Sequence, residues 1–310
     1  MTTKNYIESL KEEIRALCKR RRAVILAHNY QPPEVQDVAD YVGDSLELAK
    51  KALTIDADVI VLAGVSFMAE VTAILNEDRT VLHPEPSASC PLADYLDVEV
   101  AEKFKSKHPN APFVLYINSY AKVKAEADYI VTSSSALKLI SKLEEDMVLF
   151  GPDKNLAAYV AERTDKKVIP VPSWGCCYVH EHLISRYHIE KAIDEHLNAK
   201  VFVHPEVRPE CQKAADYIGS TSQMLKALRE FRDEEFLLGT EEALSYRAKT
   251  LFPNKKVYPI NSKAVCADMK KINLLNIKES LEGLKPKVSV EKHIRKRIKE
   301  TLQVSFDIIK

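Results

Sequence analysis

Three short stretches with nearly the same sequence decide the fold: Ala39-Asp40-Tyr41-Val42, Ala127-Asp128-Tyr129-Ile130 and Ala215-Asp216-Tyr217-Ile218. Each copy begins 88 residues after the one before it, and Ala-Asp-Tyr is identical in all three. An apolar strand pattern precedes each copy and starts at Val24, Phe113 and Val201. Self-similarity at a fixed period indicates that the chain is built from repeated structural units.

The pattern around each copy is typical of β-α-β units. Short apolar runs alternate with helical stretches of roughly ten to fifteen residues, and strands without polar alternation are typical of parallel sheets buried on both faces. We therefore predict an α/β protein with three similar three-layer α/β/α domains, related by a pseudo-threefold axis. The predicted boundaries are residues 1–91, 92–178 and 179–266, with the helical tail 267–310 packing on the first domain.

The composition restricts the classes of partner. The 310 residues carry 45 basic and 45 acidic side chains, so no net charge is present to hold a nucleic acid or an anionic membrane. Apolar runs such as residues 59–64 are far shorter than the roughly 20 residues of a membrane span. The N-terminal stretch also lacks the apolar region of a signal peptide. We expect a cytoplasmic protein that acts on small molecules.

Polar side chains follow the first strand of every repeat, again 88 residues apart. They form three pairs: His28 and Tyr30, Tyr116 and Asn118, and His204 and Glu206. Ligands of parallel sheets bind beyond the carboxyl ends of the strands. Three repeats around a common axis would therefore aim these side chains at one cavity.

Hydroxyl residues begin the helical pattern after each Ala-Asp-Tyr copy. Ser45, Ser133 and Thr221 occupy these places, and helix N-termini attract carboxylate and phosphate oxygens. The simpler interpretation of each hydroxyl is an N-cap that only satisfies backbone donors. Because the three stand in register with the polar pairs, we predict a small polyanionic substrate.

Cysteines also recur in register. Cys90, Cys177 and Cys266 each stand ten residues after the start of the fourth strand pattern of a repeat, and no C-x-x-C pair occurs. Three thiolates would hold a [4Fe-4S] cluster and leave one iron open to act as a Lewis acid. A tetrahedral zinc held by these cysteines and His180 is the second interpretation. We favour the iron–sulfur cluster.

Taken in order, the motifs of this chain resemble those of the quinolinate synthase family from about residue 20 to residue 276. The motifs are AHNY at 27–30, CPLAD at 90–94, WGCCYVH at 174–180, HPE at 204–206, GST at 219–221 and CADMK at 266–270. The resemblance implies an enzyme of NAD biosynthesis with a [4Fe-4S] cluster. It would condense iminoaspartate with dihydroxyacetone phosphate to quinolinate, phosphate and two waters.

The resemblance also implies a role for each site residue. Cys90, Cys177 and Cys266 would ligate the cluster, with Cys177 chosen over Cys176 because it opens C-x-V-H. The residues implied in catalysis are Tyr30, Tyr116, Glu206 and His180. The residues implied in binding substrate oxygens are His28, Ser45, Asn118, Ser133, His204 and Thr221.

Two rival functions stay open at this point. A zinc-dependent lyase would use the same cysteines, and an iron–sulfur sensor would use the cluster without turnover. The resemblance further implies functional coupling to an L-aspartate oxidase or dehydrogenase, because iminoaspartate is unstable in water.

Overall fold

The structure is a computed structural model that describes residues 3–310. The chain divides into two compact units, which are described separately. The first unit comprises residues up to 90 together with 266–292, and the second comprises residues 91–265 together with 293–310.

Each of the three repeats contains one four-stranded parallel sheet. The strands of the first repeat are β1 (Ala23–His28), β2 (Tyr41–Gly43), β3 (Val59–Ala63) and β4 (Thr80–Leu82). Those of the second are β5 (Phe113–Tyr116), β6 (Tyr129–Val131), β7 (Met147–Gly151) and β8 (Lys167–Pro170). Those of the third are β9 (Lys200–Val203), β10 (Tyr217–Ile218), β11 (Glu235–Gly239) and β12 (Lys256–Pro259).

The three sheets share one strand order. It is β2-β1-β3-β4 in the first repeat, β6-β5-β7-β8 in the second and β10-β9-β11-β12 in the third, with parallel pairing throughout. Every residue of β3 is buried, as a strand covered by helices on both faces requires. The predicted α/β/α fold with three repeats is confirmed, while the domain boundaries and the pseudo-threefold axis stay predictions.

Helices connect and cover the strands. The first repeat holds α1 (Thr3–Arg21), α2 (Pro33–Val38), α3 (Ser45–Thr54) and α4 (Ser66–Leu75). The second holds α5 (Pro91–Asp94), α6 (Val98–Lys107), α7 (Ala121–Lys124), α8 (Ala136–Ile140) and α9 (Lys154–Ala161). The third holds α10 (Tyr178–His182), α11 (Arg186–Glu195), α12 (Pro209–Gln212), α13 (Thr221–Glu230) and α14 (Ala243–Leu251), and α15 (Leu274–Gly283) and α16 (Lys292–Ile309) follow.

The aspartate of each Ala-Asp-Tyr copy ties its segment to the central strand. The carboxylates of Asp40, Asp128 and Asp216 accept the backbone N–H of Ile25, Phe113 and Val201 at 2.7, 2.8 and 2.9 Å. The backbone N–H of each aspartate donates in return to the carbonyl of the same partner. A buried backbone donor needs an acceptor, so this reciprocal pair explains the identical aspartate.

In the first and third repeats, the N-cap lies one residue before the hydroxyl residue that was expected to cap the helix. Ser45 and Thr221 are the first helical residues, and the N-caps are Asp44 and Ser220. A cap must accept from the N–H of the second or third helical residue, and the Asp44 carboxylate does so from Glu47 at 2.9 Å. In the second repeat α8 begins only at Ala136, and Ser133 lies in the turn before it.

The C-terminal tail also differs from the expectation that all of it packs on the first domain. The helix α15 packs on α1 in the first unit, through an apolar cluster that includes Ile14, Leu17 and Ile277. The helix α16 instead bonds to the second repeat, where the Ser305 hydroxyl accepts the N–H of Ile130 at 2.9 Å. This contact satisfies a buried strand donor, which explains why α16 belongs to the second unit.

Asp128 provides a test of the reciprocal pair. We expect Asp128→Ala to lower the free energy of unfolding by about 1–3 kcal/mol, because the buried N–H of Phe113 loses its acceptor. Asp128→Asn keeps an acceptor oxygen and should cost less. Urea denaturation would measure both, with the exposed Asp165→Ala as the control. Equal stability of Asp128→Ala and Asp165→Ala would contradict the proposed role.

Candidate active site

The strand-end residues of the second unit meet around one buried carboxylate. Glu206 follows β9 by three residues and is 2% exposed. The Nδ1 of His180, in α10, lies 2.7 Å from Oε2 of Glu206, and Nδ1 of His204 lies 3.7 Å from the same oxygen. The Tyr116 hydroxyl, at the end of β5, donates a hydrogen bond to this carboxylate. The structure thus joins residues from the second and third repeats.

A hydroxyl completes the environment of His180. Its Nε2 lies 2.9 Å from Oγ1 of Thr240, a residue that directly follows β11. His180 is 1% exposed and its ring stacks on that of His204, with the centroids 4.7 Å apart. Carboxylate, imidazole and hydroxyl therefore form a continuous chain through which a proton can pass.

The backbone sets the tautomer of His204. The N–H of Glu206 donates to Nδ1 of His204 at 3.3 Å, so a neutral ring carries its proton on Nε2. Burial lowers the pKa of His204 to about 3, against the opposing charge of Glu206, so the ring is neutral near pH 7. His204 therefore offers an N–H donor, which suits a substrate oxygen.

The first unit contains the same arrangement at His28. The N–H of Tyr30 donates to Nδ1 of His28 at 3.2 Å, so a neutral His28 also carries its proton on Nε2. The rings of His28 and Tyr30 meet edge to face, 4.5 Å between centroids. The ammonium of Lys270 donates to the carbonyl of Tyr30 at 2.8 Å and fixes this loop.

Two buried acids of the second unit have pKa values that are shifted in opposite directions. Burial opposes the ionisation of Glu206, yet the imidazoles of His204 and His180 and the hydrogen bonds from His180 and Tyr116 lower its pKa below the usual value. Burial and the negative charge of Glu206 raise the pKa of Asp153 well above its usual value. Neighbouring acids with opposite shifts are typical of catalytic sites.

Cys177 is the cysteine that faces this group. Its Sγ, a ring nitrogen of His180 and a carboxylate oxygen of Glu206 all lie within 4.8 Å of one another. The N–H of Cys177 donates to Oδ2 of Asp153 at 3.0 Å. Cys176 is instead buried, and burial raises its pKa. Cys177 is half-buried, and its role as a cluster ligand stays a prediction.

The first unit brings the segments of Cys90 and Cys266 together. The Ser89 hydroxyl donates to Oδ1 of Asp268 at 3.4 Å, and the Lys271 ammonium donates to the carbonyl of Ser87 at 2.7 Å. Both cysteines are half-buried, as is Cys177. Three half-buried thiols fit the donor chemistry of an iron–sulfur cluster. The convergence of all three stays a prediction.

The remaining predicted residues lie close to the carboxyl ends of strands. Asn118 follows β5 and is half-buried, as are Ser45 and Ser133, whereas Thr221 is buried at the first position of α13. Their contacts to substrate oxygens stay predictions.

Comparison with known proteins identifies the family. The family model described as quinolinate synthetase A protein matches residues 12–307. The chain belongs to the quinolinate synthetase A family. It is 50% identical over 301 residues to a protein named quinolinate synthase from Pyrococcus horikoshii, covering 97% of this chain and 99% of that relative. It is 43% identical over 297 residues to one from Alkaliphilus metalliredigens, covering 96% and 97%.

The members named in this comparison are enzymes, and this member of the quinolinate synthetase A family is one as well. Among residues 3–310, no helix combines the length and the apolar character that crossing a membrane requires.

The sequence patterns of this chain did not point to three residues around the site: Asp153, Asn155 and Thr240. Thr240 satisfies the same strand-end rule that selected the others, because it follows β11 directly. Asp153 caps α9 by accepting the N–H of Leu156 at 2.7 Å, so a cap signal was available for it. Asn155 donates to the Glu206 carbonyl at 2.9 Å, a tertiary contact that no local pattern reveals.

The buried neutral ring of His204 predicts a pH dependence of stability. The unfolded chain binds a proton at this histidine near pH 6.5 and the native protein does so only near pH 3, so stability falls as the pH falls between these values. The loss is at most about 1.4 kcal/mol per pH unit for one group.

We expect His204→Asn, which cannot take up the proton, to lose less stability than the unchanged protein between pH 7.5 and pH 5. Urea denaturation at several pH values would measure this slope. Restricting the series to pH 5 and above keeps the protonation of Glu206 out of the comparison, and identical slopes would contradict the assignment.

Proposed function

We propose that this chain condenses iminoaspartate with dihydroxyacetone phosphate to form quinolinate, phosphate and two waters in NAD biosynthesis. The similarity over nearly the whole chain to proteins named quinolinate synthase carries the proposal. The reaction requires proton transfers and the binding of carboxylate and phosphate oxygens. The buried group around Glu206 and the strand-end donors supply both kinds of interaction.

The proposed cofactor is a [4Fe-4S] cluster held by Cys90, Cys177 and Cys266. These residues fit it because they supply three half-buried thiols, and the Cys177 backbone is held by Asp153. When bound, a cluster with three protein ligands supplies an open iron that polarises a hydroxyl as a Lewis acid.

Glu206 is the proposed general base and acid. Its lowered pKa keeps it ionised near neutral pH, so it can accept a proton from a substrate carbon or nitrogen. His180 lies against Glu206 and Thr240, so it can hold or pass on that proton. Tyr116 donates to the same carboxylate, and Tyr30 is the proposed proton donor from the first repeat.

The proposed substrate-binding groups are hydrogen-bond donors. His28 and His204 present Nε2–H groups because the backbone occupies their Nδ1 atoms. The N-termini of α3 and α13 carry Ser45 and Thr221, and a helix N-terminus attracts anionic oxygens. Asn118 and Ser133 complete the proposed set. We further propose that the protein works in the cytoplasm and receives iminoaspartate from an enzyme that oxidises L-aspartate.

Metal analysis of protein purified without oxygen tests the cofactor. We expect about four irons and four sulfides per chain. Cys177→Ala should lose the cluster because it removes a thiolate ligand, whereas Cys176→Ala should retain it. The reverse result would move the ligand to Cys176. Zinc without sulfide would instead favour a zinc-dependent lyase, for which the close group of Cys177, His180 and Glu206 is a suitable site.

Glu206→Gln tests the proposed base. The amide keeps the size of the side chain but cannot take up a proton, so we expect kcat for quinolinate formation to fall by at least about 100-fold. Iron and sulfide content should stay unchanged. An anaerobic assay with iminoaspartate generated in place would measure turnover, and full activity of this variant would remove Glu206 from the mechanism.

A further inference from the structure

A buried polar side chain stands at the same place in every repeat. Gln36 near the end of α2, Lys124 at the end of α7 and Gln212 at the end of α12 are 88 residues apart. All three are buried, and Lys124 is 0% exposed. A buried long polar side chain loses its hydration and its rotamer freedom, so it needs a compensating interaction.

In the third repeat this interaction holds the backbone on both sides of Glu206, the residue that carries the proposed catalytic carboxylate. Nε2 of Gln212 donates to the carbonyls of Pro205 and Val207, both at 2.9 Å. These are the residues on either side of Glu206. The carbonyl of Glu206 itself accepts from Asn155 at 2.9 Å. Three successive carbonyls of this loop are therefore held by two buried amides.

The first repeat repeats the bracket. Nε2 of Gln36 donates to the carbonyls of Asn29 and Gln31, at 3.1 and 2.9 Å. These residues flank Tyr30, which stands in register with Glu206. In the second repeat the ammonium of Lys124 donates to the carbonyl of Ser119, which follows Asn118.

We propose that Gln36, Lys124 and Gln212 are positioning residues that clamp the strand-end loops from behind. Each bonds the backbone beside the residue that the site presents: Tyr30, Asn118 or Glu206. The residues whose loops are held and the residues that hold them stay in register through all three repeats. The hydrogen bonds from these side chains to the loops do not depend on the proposed function, and only their effect on turnover rests on it.

The clamp residue is glutamine in the first and third repeats and lysine in the second, and this difference shows which property of the side chain the clamp requires. The two side chains differ in charge and shape, but both carry a nitrogen donor at the end of a flexible stem. A clamp requires this donor, because buried carbonyls that lose it stay unsatisfied. Space filling alone would equally accept an apolar residue of the same length. The register therefore predicts that lysine can replace glutamine and that methionine cannot.

Substitutions at Gln212 test the clamp. Gln212→Met keeps the length but removes the donor, and Gln212→Lys restores a donor. The matched control is Cys211→Ala, a buried change on the same helix whose side chain contacts the Ile184 carbonyl instead of the loop. All variants are studied as anaerobically purified protein with its cluster content measured.

Hydrogen–deuterium exchange of the segment 203–208 gives a readout that does not depend on turnover. We expect exchange to be about tenfold faster in Gln212→Met, because the loop opens more often without its two hydrogen bonds. Gln212→Lys and Cys211→Ala should exchange within about threefold of the unchanged protein. Unchanged exchange in Gln212→Met, or equally fast exchange in Cys211→Ala, would overturn the clamp.

Measuring kcat and KM distinguishes a positioning role of Gln212 from a purely stabilising one. In Gln212→Met we expect kcat for quinolinate formation to fall about tenfold, KM to change less than about threefold and Gln212→Lys to recover most of the loss. Faster exchange with an unchanged kcat would overturn the positioning role. If the unchanged protein forms no quinolinate, the proposed function fails while the exchange data still decide the clamp.

The second repeat provides an independent pair if Gln212→Met does not fold. Lys124→Gln should retain slow exchange at residues 116–120 because it keeps a donor, and Lys124→Met should lose it. Equal exchange in these two variants would contradict the clamp in the second repeat.

Discussion

The reciprocal bond between a repeated aspartate and its central strand is the interaction on which the three sheets depend. The carboxylates of Asp40, Asp128 and Asp216 accept a backbone N–H that would otherwise be buried without a partner. This bond places the second strand of each repeat beside the first and sets their register. The loops that follow the central strands then emerge at the carboxyl edge, where ligands of parallel sheets bind.

The polar group of the second unit depends on neighbouring side chains that compensate for burying the charge of Glu206. A carboxylate taken out of water destabilises the fold unless partners replace its hydration. Glu206 lies beside His180 and His204 and accepts from Tyr116. Its own carbonyl accepts from Asn155, and the carbonyls on either side of it accept from Gln212. The same contacts that allow the charge to be buried also orient the carboxylate, so the residues that stabilise it also position it for its proposed role.

Local patterns predicted the strands because strands depend on short-range rules. Apolar runs and the 88-residue period report burial and repetition directly. The caps of α3 and α13 were misplaced by one residue, although Asp44 with Glu47 and Ser220 with Gln223 carry the capping-box signal. The packing of α16 on the second repeat was missed because its amphipathic pattern shows that a helix has an apolar face and leaves the partner of that face undefined.

The sequence by itself determined the triplicated α/β fold, the family and the set of polar residues at strand ends. It did so because periodicity, identical motifs and residue type are properties of the chain order. Only the tertiary structure decided the tautomers of His28 and His204, the opposite pKa shifts of Glu206 and Asp153, and the clamps at Gln36, Lys124 and Gln212. Each of these depends on distances of a few ångströms between atoms that folding brings together, and on the burial that makes an unpaired polar group costly.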